Sequence, residues 1–311
     1  MSSGLVLIDK PSGWTSHDVV ARLRKLAGTR RVGHAGTLDP MATGLLLIGV
    51  NSATKLLTFL VGENKTYEAT FRLGAATITD DKESEFTTIA NADAVQALTA
   101  EGLEVALGNL RGPIEQVPSS VSAIKVDGER AYAKVRSGDE VKLKARPVTI
   151  HRFEVIGKPR LVVEGEITFF DFEAIVDCSS GTYIRALARD LGLELGVGGH
   201  LTALRRTKIG SYSIDQAQNL AGLTADKLAI LPIEQAATQQ FPVRNLNEQE
   251  VIDLRHGKRL KVVTETETEP TAAIDGDGQL VAMLTKSGNA VKSLVVFAQD
   301  SEAGTEKDGE L

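Results

Sequence analysis

Asp39 is the carboxylate whose setting points most directly to chemistry. It sits in Gly33-His34-Ala35-Gly36-Thr37-Leu38-Asp39-Pro40-Met41-Ala42-Thr43-Gly44, a polar stretch with three glycines and a proline. Leu45-Leu46-Leu47-Ile48-Gly49-Val50 follows at once, with the length and aliphatic content of a fully buried strand. The polar stretch therefore reads as a loop delivered to the end of a core strand, where a rigid scaffold can hold reactive groups. Pro40 fixes its own φ and pushes Asp39 out of the α region. Asp-Pro also occurs in plain turns, so the company of Asp39 matters. His34 lies five residues earlier, a basic helix precedes the loop, and no metal-ligand spacing is present. The chemistry open to Asp39 is that of a carboxylate acting without a metal.

The elements that must position this loop can be read on either side of it. Leu5-Val6-Leu7-Ile8 predicts a short buried strand, and Asp9-Lys10-Pro11-Ser12-Gly13 a turn. Thr15 and Asp18 have capping-box spacing, and Val19, Leu23 and Leu26 continue as an amphipathic helix ending near Gly28. Arg22, Arg24, Lys25, Arg30 and Arg31 lead from that helix into the loop and suggest phosphate contact. Asn51-Ser52 is expected to cap a helix through Leu60. Residues 65–74 alternate strictly, with Tyr67, Ala69, Phe71 and Leu73 on one face and Thr66, Glu68, Thr70 and Arg72 on the other. Thr79–Glu85 reads as an acidic loop, 93–107 as one helix, and 147–177 as strand. Ser179–Arg185 turns into a helix on which Arg185 and Arg189 share a face. Gly198 through Arg206 reads as a basic turn. Beyond residue 238, Asn247 and Glu250 form a second capping box. Turn signals at Asp275–Gly278 and Lys286–Asn289 then predict a small β-rich module.

Composition narrows the class. The 311 residues suit one large domain and a small one, and a net charge of −6 argues against binding nucleic acid by bulk positive charge. Cations are nevertheless concentrated early, and again in 113–146, a segment with little apolar surface that reads as an insertion able to order against a polyanion. Residues 299–311 read as a disordered acidic tail. One cysteine, Cys178, excludes an internal disulfide and fits a reducing cytoplasm. Five scattered histidines do not suggest a zinc site. No apolar run approaches the roughly 18 residues of a membrane span, and Leu5–Ile8 is too short for a signal peptide. Walker-type, dinucleotide and serine-elbow motifs are absent from the sequence.

Five motifs, in order, resemble the TruB-type tRNA pseudouridine-55 synthases of bacteria. They are Asp9–Asp18, Gly33–Gly44, Ser122–Tyr132, Gly181-Thr182-Tyr183-Ile184-Arg185 and Leu204-Arg205-Arg206. The resemblance implies an α+β fold, a mixed and mainly antiparallel sheet flanked by helices. It divides the chain into a catalytic domain over 1–238, with 113–146 as a mobile thumb, and a PUA-like domain over 239–298. It implies isomerisation of uridine 55 in the T-loop of tRNA, with no cofactor, no metal, no protein partner, no membrane and a monomeric chain. A role in tRNA folding, and a guide-RNA-dependent synthase, are the rival readings. By the same resemblance Asp39 is the nucleophile, attacking either the sugar C1′ or the uracil C6. Its being one carboxylate argues against glycoside hydrolysis, which normally uses two. His34 fills the space left by the flipped base, Tyr67 stacks on the uracil and is the candidate acceptor of the C5 proton, and Arg185 pairs with Asp39. Leu204 walls the pocket, and Lys10, Lys125, Arg130, Tyr183 and Arg205 face the RNA.

Overall fold

The computed structural model describes residues 2–119, 125–126, 129–130, 144–262 and 270–297. Its contacts divide into two units. One contains Met1–Pro40, Gly44–Val61 and Gly210–Leu311; the other contains Met41–Thr43 and Gly62–Ile209.

In the first unit the strand Thr43–Val50 is buried along almost its whole length, as its aliphatic run predicts. It pairs antiparallel with Gly4–Lys10 on one side and Val32–Ala35 on the other. Gly33-His34-Ala35 is thus strand rather than loop, with His34 opposite Ile48. The helix Ser16–Leu26 starts at the expected capping box, Thr15 with Asp18, and buries Ser16, Val19, Val20 and Leu23. The helix expected after Asn51 is instead a 3-10 turn, Asn51–Thr54, followed by the short helix Leu57–Leu60. Asn51 has φ 54° and its side-chain oxygen accepts from Thr29 Oγ1 at 3.0 Å, so it is not spent as a cap. Later in the unit, a five-stranded sheet runs in the order Val243–Asn245, Thr271–Ile274, Leu280–Ser287, Ala290–Val296, Leu260–Lys261. Its core includes Leu246, Leu254, Val281, Leu284 and Val291. Both predicted hairpins join its strands, and Asn247 with Glu250 caps the helix Glu248–Arg255.

The second unit is built on antiparallel strands in the order Gly199–Ile209, Lys65–Leu73, Ile167–Cys178, Arg146–Glu164, Gly112–Gln116. Along Lys65–Leu73 burial alternates as the sequence predicts, with Tyr67, Ala69, Phe71 and Leu73 inside. Phe71 stacks on Phe172 at 5.0 Å and tilts against Phe153 at 5.1 Å. Burying one such ring is worth about 1.5–3 kcal/mol. The segment expected to be a basic turn, Gly198 through Arg206, is mostly the strand Gly199–Ile209. Only Gly198, at φ 72°, belongs to the turn. The single helix expected over 93–107 is two, Ala92–Gln96 and Ala100–Asn109. Thr99 breaks it, since its extended backbone lets its hydroxyl accept from Gly102 N and cap the second helix. Within the expected thumb, 113–146, the described residues are 113–119, 125–126, 129–130 and 144–146, and they include a two-residue ladder, Lys125–Val126 with Glu129–Arg130. The remainder of the thumb, the Thr264–Glu269 repeat and the acidic tail lie outside the described residues.

The fold is α+β with mainly antiparallel sheets, as expected; parallel pairs occur at Ile8 with Gln218 and at Val243 with Ala272. Among the described residues no helix is long and apolar enough to cross a membrane.

His200 makes the packing of the second unit sensitive to acid. It is buried, with Nδ1 2.9 Å from Ala75 O, and burial lowers its pKa below 6.5. The unfolded chain therefore takes up a proton that the native chain resists, so stability falls as pH drops through about 6.5. Urea midpoints measured between pH 7.5 and 5 should show this decline, and His200→Gln should flatten it.

Candidate functional site

The Asp39 loop is held from both sides. Gly36 and Gly44 take φ 85° and 101°, conformations that would strain any residue with a Cβ, and so let the chain bend twice within a few residues. Leu38 is buried, and Ser16 Oγ both accepts from Leu38 N at 2.9 Å and donates to Leu38 O at 3.2 Å. On the other side of Asp39, Pro40 O accepts from Gly13 N at 2.8 Å and from Lys10 Nζ at 3.3 Å. Lys10 also donates to Trp14 O at 2.7 Å and Pro11 O at 3.0 Å. Its place corrects one expectation: Lys10 is fully buried, and its ammonium braces the loop from within instead of facing RNA. Asp39 itself is half-buried. His34 is also half-buried, edge-on to the exposed ring of His17 with centroids 5.6 Å apart. Of the cations leading into the loop, Arg22 and Arg24 donate to Leu223 O and Val32 O, while Lys25, Arg30 and Arg31 are exposed.

Tyr67, Leu204, Arg185, Tyr183 and Arg205 belong to the second unit. Leu204 stands opposite Ala69, and Arg206 opposite Tyr67, so Leu204, Arg206 and Tyr67 lie on one sheet face. Tyr67 and Leu204 are each 7% exposed. Arg205 points to the other face and donates to Thr43 Oγ1 at 3.4 Å. Tyr183 precedes the helix Ile184–Glu194 without a side-chain cap of its own. Gln116 reaches across instead, accepting from Tyr183 N at 2.8 Å and donating to Tyr183 O at 3.1 Å.

Arg185 is 4% exposed and donates to Thr79 O at 2.8 Å and to Asp81 Oδ2 at 3.3 Å. Arg189, one turn on, reaches Asp80 at 3.4 Å and Val117 O at 2.8 Å. Reading 79–85 as a plain acidic loop missed these carboxylates. Asp80 and Asp81 are both buried, and Asp80 has φ 59°. Burial raises the Asp80 pKa, against the opposing effects of a Ser119 hydrogen bond and of Arg189 and Arg185. A signal was available: two arginines on one helical face need carboxylates if that face is buried, and this loop offers adjacent ones.

Lys65 is also buried, donating to Glu63 O at 2.6 Å and Ser180 Oγ at 3.3 Å. Burial, then repulsion from Arg206, pushes its ammonium down to about 8. The buried Cys178 thiol is pushed up to about 11, chiefly by burial. No group of three or more His, Cys, Asp or Glu suited to a metal occurs among the described residues.

The sequence matches the TruB family pseudouridylate synthase N-terminal domain over residues 24–184. It also matches the tRNA pseudouridylate synthase B C-terminal domain over 185–237 and the tRNA pseudouridine synthase II C-terminal domain over 241–298. The chain belongs to the TruB family. Curated relatives agree. A tRNA pseudouridine synthase B of Paenarthrobacter aurescens is 55% identical over 305 residues, covering 96% of each chain. One of Thermobifida fusca is 50% identical over 299 residues, covering 96% of this chain and 99% of that one. Among solved structures, a Cbf5-Nop10-Gar1 complex contains a chain with TM-score 0.68 and 25% identity, covering 96% of this chain and 86% of that one. The fold is thus that of the pseudouridine synthases, and the TruB motifs fall on the Asp39 loop, the Tyr183–Arg185 helix start and the Leu204–Arg206 strand.

Cutting the buried pair tests how far this TruB chain relies on it. Asp81→Ala takes that carboxylate from the Arg185 guanidinium, which keeps the Thr79 carbonyl, and should cost about 3 kcal/mol of stability. Asp81→Asn should cost less. Urea unfolding of both variants measures the difference.

Proposed function

We propose that the protein isomerises uridine 55 of tRNA to pseudouridine, acting on the T-arm, with Asp39 as nucleophile on a uridine flipped from its stack. The reading rests most on how the Asp39 loop is held: Leu38 and Pro40, its two neighbours, are pinned by Ser16, Lys10 and Gly13. A nucleophile gains most from such fixing, because misplacement by an ångström can cost about 10²-fold in rate. The relatives named tRNA pseudouridine synthase B support tRNA as the substrate.

The reaction breaks the N1–C1′ bond, turns the uracil and forms a C5–C1′ bond, with no net redox change and no group gained. Asp39 attacks C1′ or C6, and either route ends with a proton to remove from C5. Tyr67 stacks on the base and takes that proton; Leu204 forms the apolar wall. Arg185, oriented by Asp81 and Thr79 O, supplies a fixed cation to the reaction. His34 fills the gap left in the RNA. Tyr183, Arg205, Lys125 and Arg130 contact the RNA, which is recognised by shape, stacking and phosphate contacts. The C-terminal sheet is a second RNA contact of the PUA-like kind.

Asp39→Asn separates this reading from a pure RNA-folding role. Asn keeps the shape and serves a turn equally well, but it is a poor nucleophile. The variant should fold, bind a T-arm hairpin and form no detectable pseudouridine. Turnover within about tenfold of wild type would overturn the mechanism, since losing a nucleophile costs far more than the 1.4 kcal/mol that tenfold represents. For Tyr67→Phe we expect near-normal affinity and loss of most turnover, read by the same two assays.

A further inference from the structure

Two cations lie buried where the mechanism above makes no use of them. Lys65 and Arg206 are 7% and 1% exposed. They are near enough to interact, since repulsion from Arg206 contributes to the lowered Lys65 pKa. Taking an ammonium and a guanidinium out of water costs several kcal/mol each. The strand register shows which group they flank. Lys65 and Tyr67 are two apart on one strand and share a face. Arg206 is directly opposite Tyr67 on the neighbouring strand, and Val176 is opposite it on the other side. Directly opposed residues have Cβ atoms about 4.5–5.5 Å apart, so the Arg206 side chain leaves the sheet beside the Tyr67 ring.

We propose that Arg206, assisted by Lys65, is a positioning residue that favours the phenolate of Tyr67, so that its oxygen accepts the C5 proton. This deepens the reading of Tyr67 as proton acceptor and rests on it. In the step, the C5–H bond breaks, its electron pair forms the C5=C6 double bond of the new C-glycoside, and the proton passes to the Tyr67 oxygen. On the C1′ route the C6=N1 pair moves onto N1, and on the C6 route the bond from C6 to the Asp39 oxygen breaks. N1, released from C1′, takes one proton from solvent and the Tyr67 phenol returns one, so atoms and charge balance without a co-reactant.

The charged and titratable groups around Tyr67 favour this. Its own strand supplies Lys65, and Gly199–Ile209 supplies Arg206. Ile167–Cys178 supplies Cys178, whose thiol stays neutral because burial holds it at about 11. Glu63 acts on Lys65 and Asp177 on Cys178, and both carboxylates oppose the cations. The helix Ile184–Glu194, packed on both Lys65–Leu73 and Gly199–Ile209, carries Arg185 already paired with Asp81. Arg206 is thus the cation that the strand register sets directly opposite Tyr67. Lys65 adds its charge only below about 8. A cation beside an acid lowers its pKa by about one to three units, and here that effect must exceed the rise that burial gives the Tyr67 phenol.

Phenolate absorbance of the full chain, titrated with pH and taken as wild type minus Tyr67→Phe, isolates the Tyr67 step. It should fall about one to three pH units below the ordinary tyrosine value near 10. Arg206→Met, differenced against its own Tyr67→Phe double variant, should raise the step by about one unit or more, and Arg206→Lys should keep it low. The acid limb of single-turnover pseudouridine formation on a T-arm hairpin should move with it. A wild-type step at the ordinary value, or an unmoved step in Arg206→Met, overturns the proposal and leaves Arg206 a brace within the sheet. Should Arg206→Met not fold, the wild-type step and an upward shift in Lys65→Met decide. Failure of the underlying reading looks different, because full turnover in Tyr67→Phe removes Tyr67 as acceptor whatever its titration.

Discussion

The Asp39 loop is braced by a buried charge. The Lys10 ammonium lies at the end of the first strand and donates to Pro11 O, Trp14 O and Pro40 O. A buried ammonium is tolerable only if its donors are met, and three carbonyls meet them here. Those carbonyls come from the turn after the strand and from the residue following Asp39, so one side chain ties two separate stretches of backbone together. A neutral replacement would leave the carbonyls without a donor and the Asp39 loop without its brace. Ser16 completes the hold from the helix side, its hydroxyl serving Leu38 as donor and acceptor at once.

The second unit repeats the device with guanidinium groups. Arg185 and Arg189 project from successive turns of one helix, and both land on the 79–81 loop. Buried arginine suits this work because its planar donors can serve a carboxylate and a carbonyl together. The start of the same helix has no side-chain cap of its own, and Gln116 supplies the missing partners from a neighbouring strand. Long-range polar contacts thus set the helix that carries Arg185. Local helix chemistry alone would leave its start under-satisfied.

What could be read in the sequence was what is periodic or local. The buried run Leu45–Val50, the alternation from Lys65 to Leu73 and the capping boxes at Thr15 and Asn247 each declare themselves within a few residues. The position of Asp39 between turn formers was legible for the same reason. The misreadings share another cause. Lys10, Arg206 and Asp81 are charged residues inside the protein, and charge is ordinarily evidence of exposure. His200 and Arg206 made a core strand look like a basic turn, and the Ala75 carbonyl that meets His200 lies far away in the chain. Asp81 belongs with Arg185, 104 residues away, and no spacing rule connects them. Thr99 split a helix through a hydroxyl cap that competes with continuation, a choice that propensity alone leaves open.

These buried charges bear on how a reaction proposed to use no cofactor can proceed. The charge that develops on the uracil and ribose must then be met by side chains alone, and water would have to reorganise to do the same job. Groups already fixed and desolvated before the RNA arrives cost no reorganisation during the reaction, and they act more strongly in the low-dielectric interior. The cost falls on folding instead: a chain that buries Lys10, Lys65, Arg185 and Arg206 is less stable than one packed with apolar residues of similar size. Braces such as Ser16 on Leu38, Asp81 on Arg185 and Gln116 on Tyr183 limit that cost by giving polar groups partners. In this fold the polar interior is where stability is given up to hold side chains and loops in fixed positions.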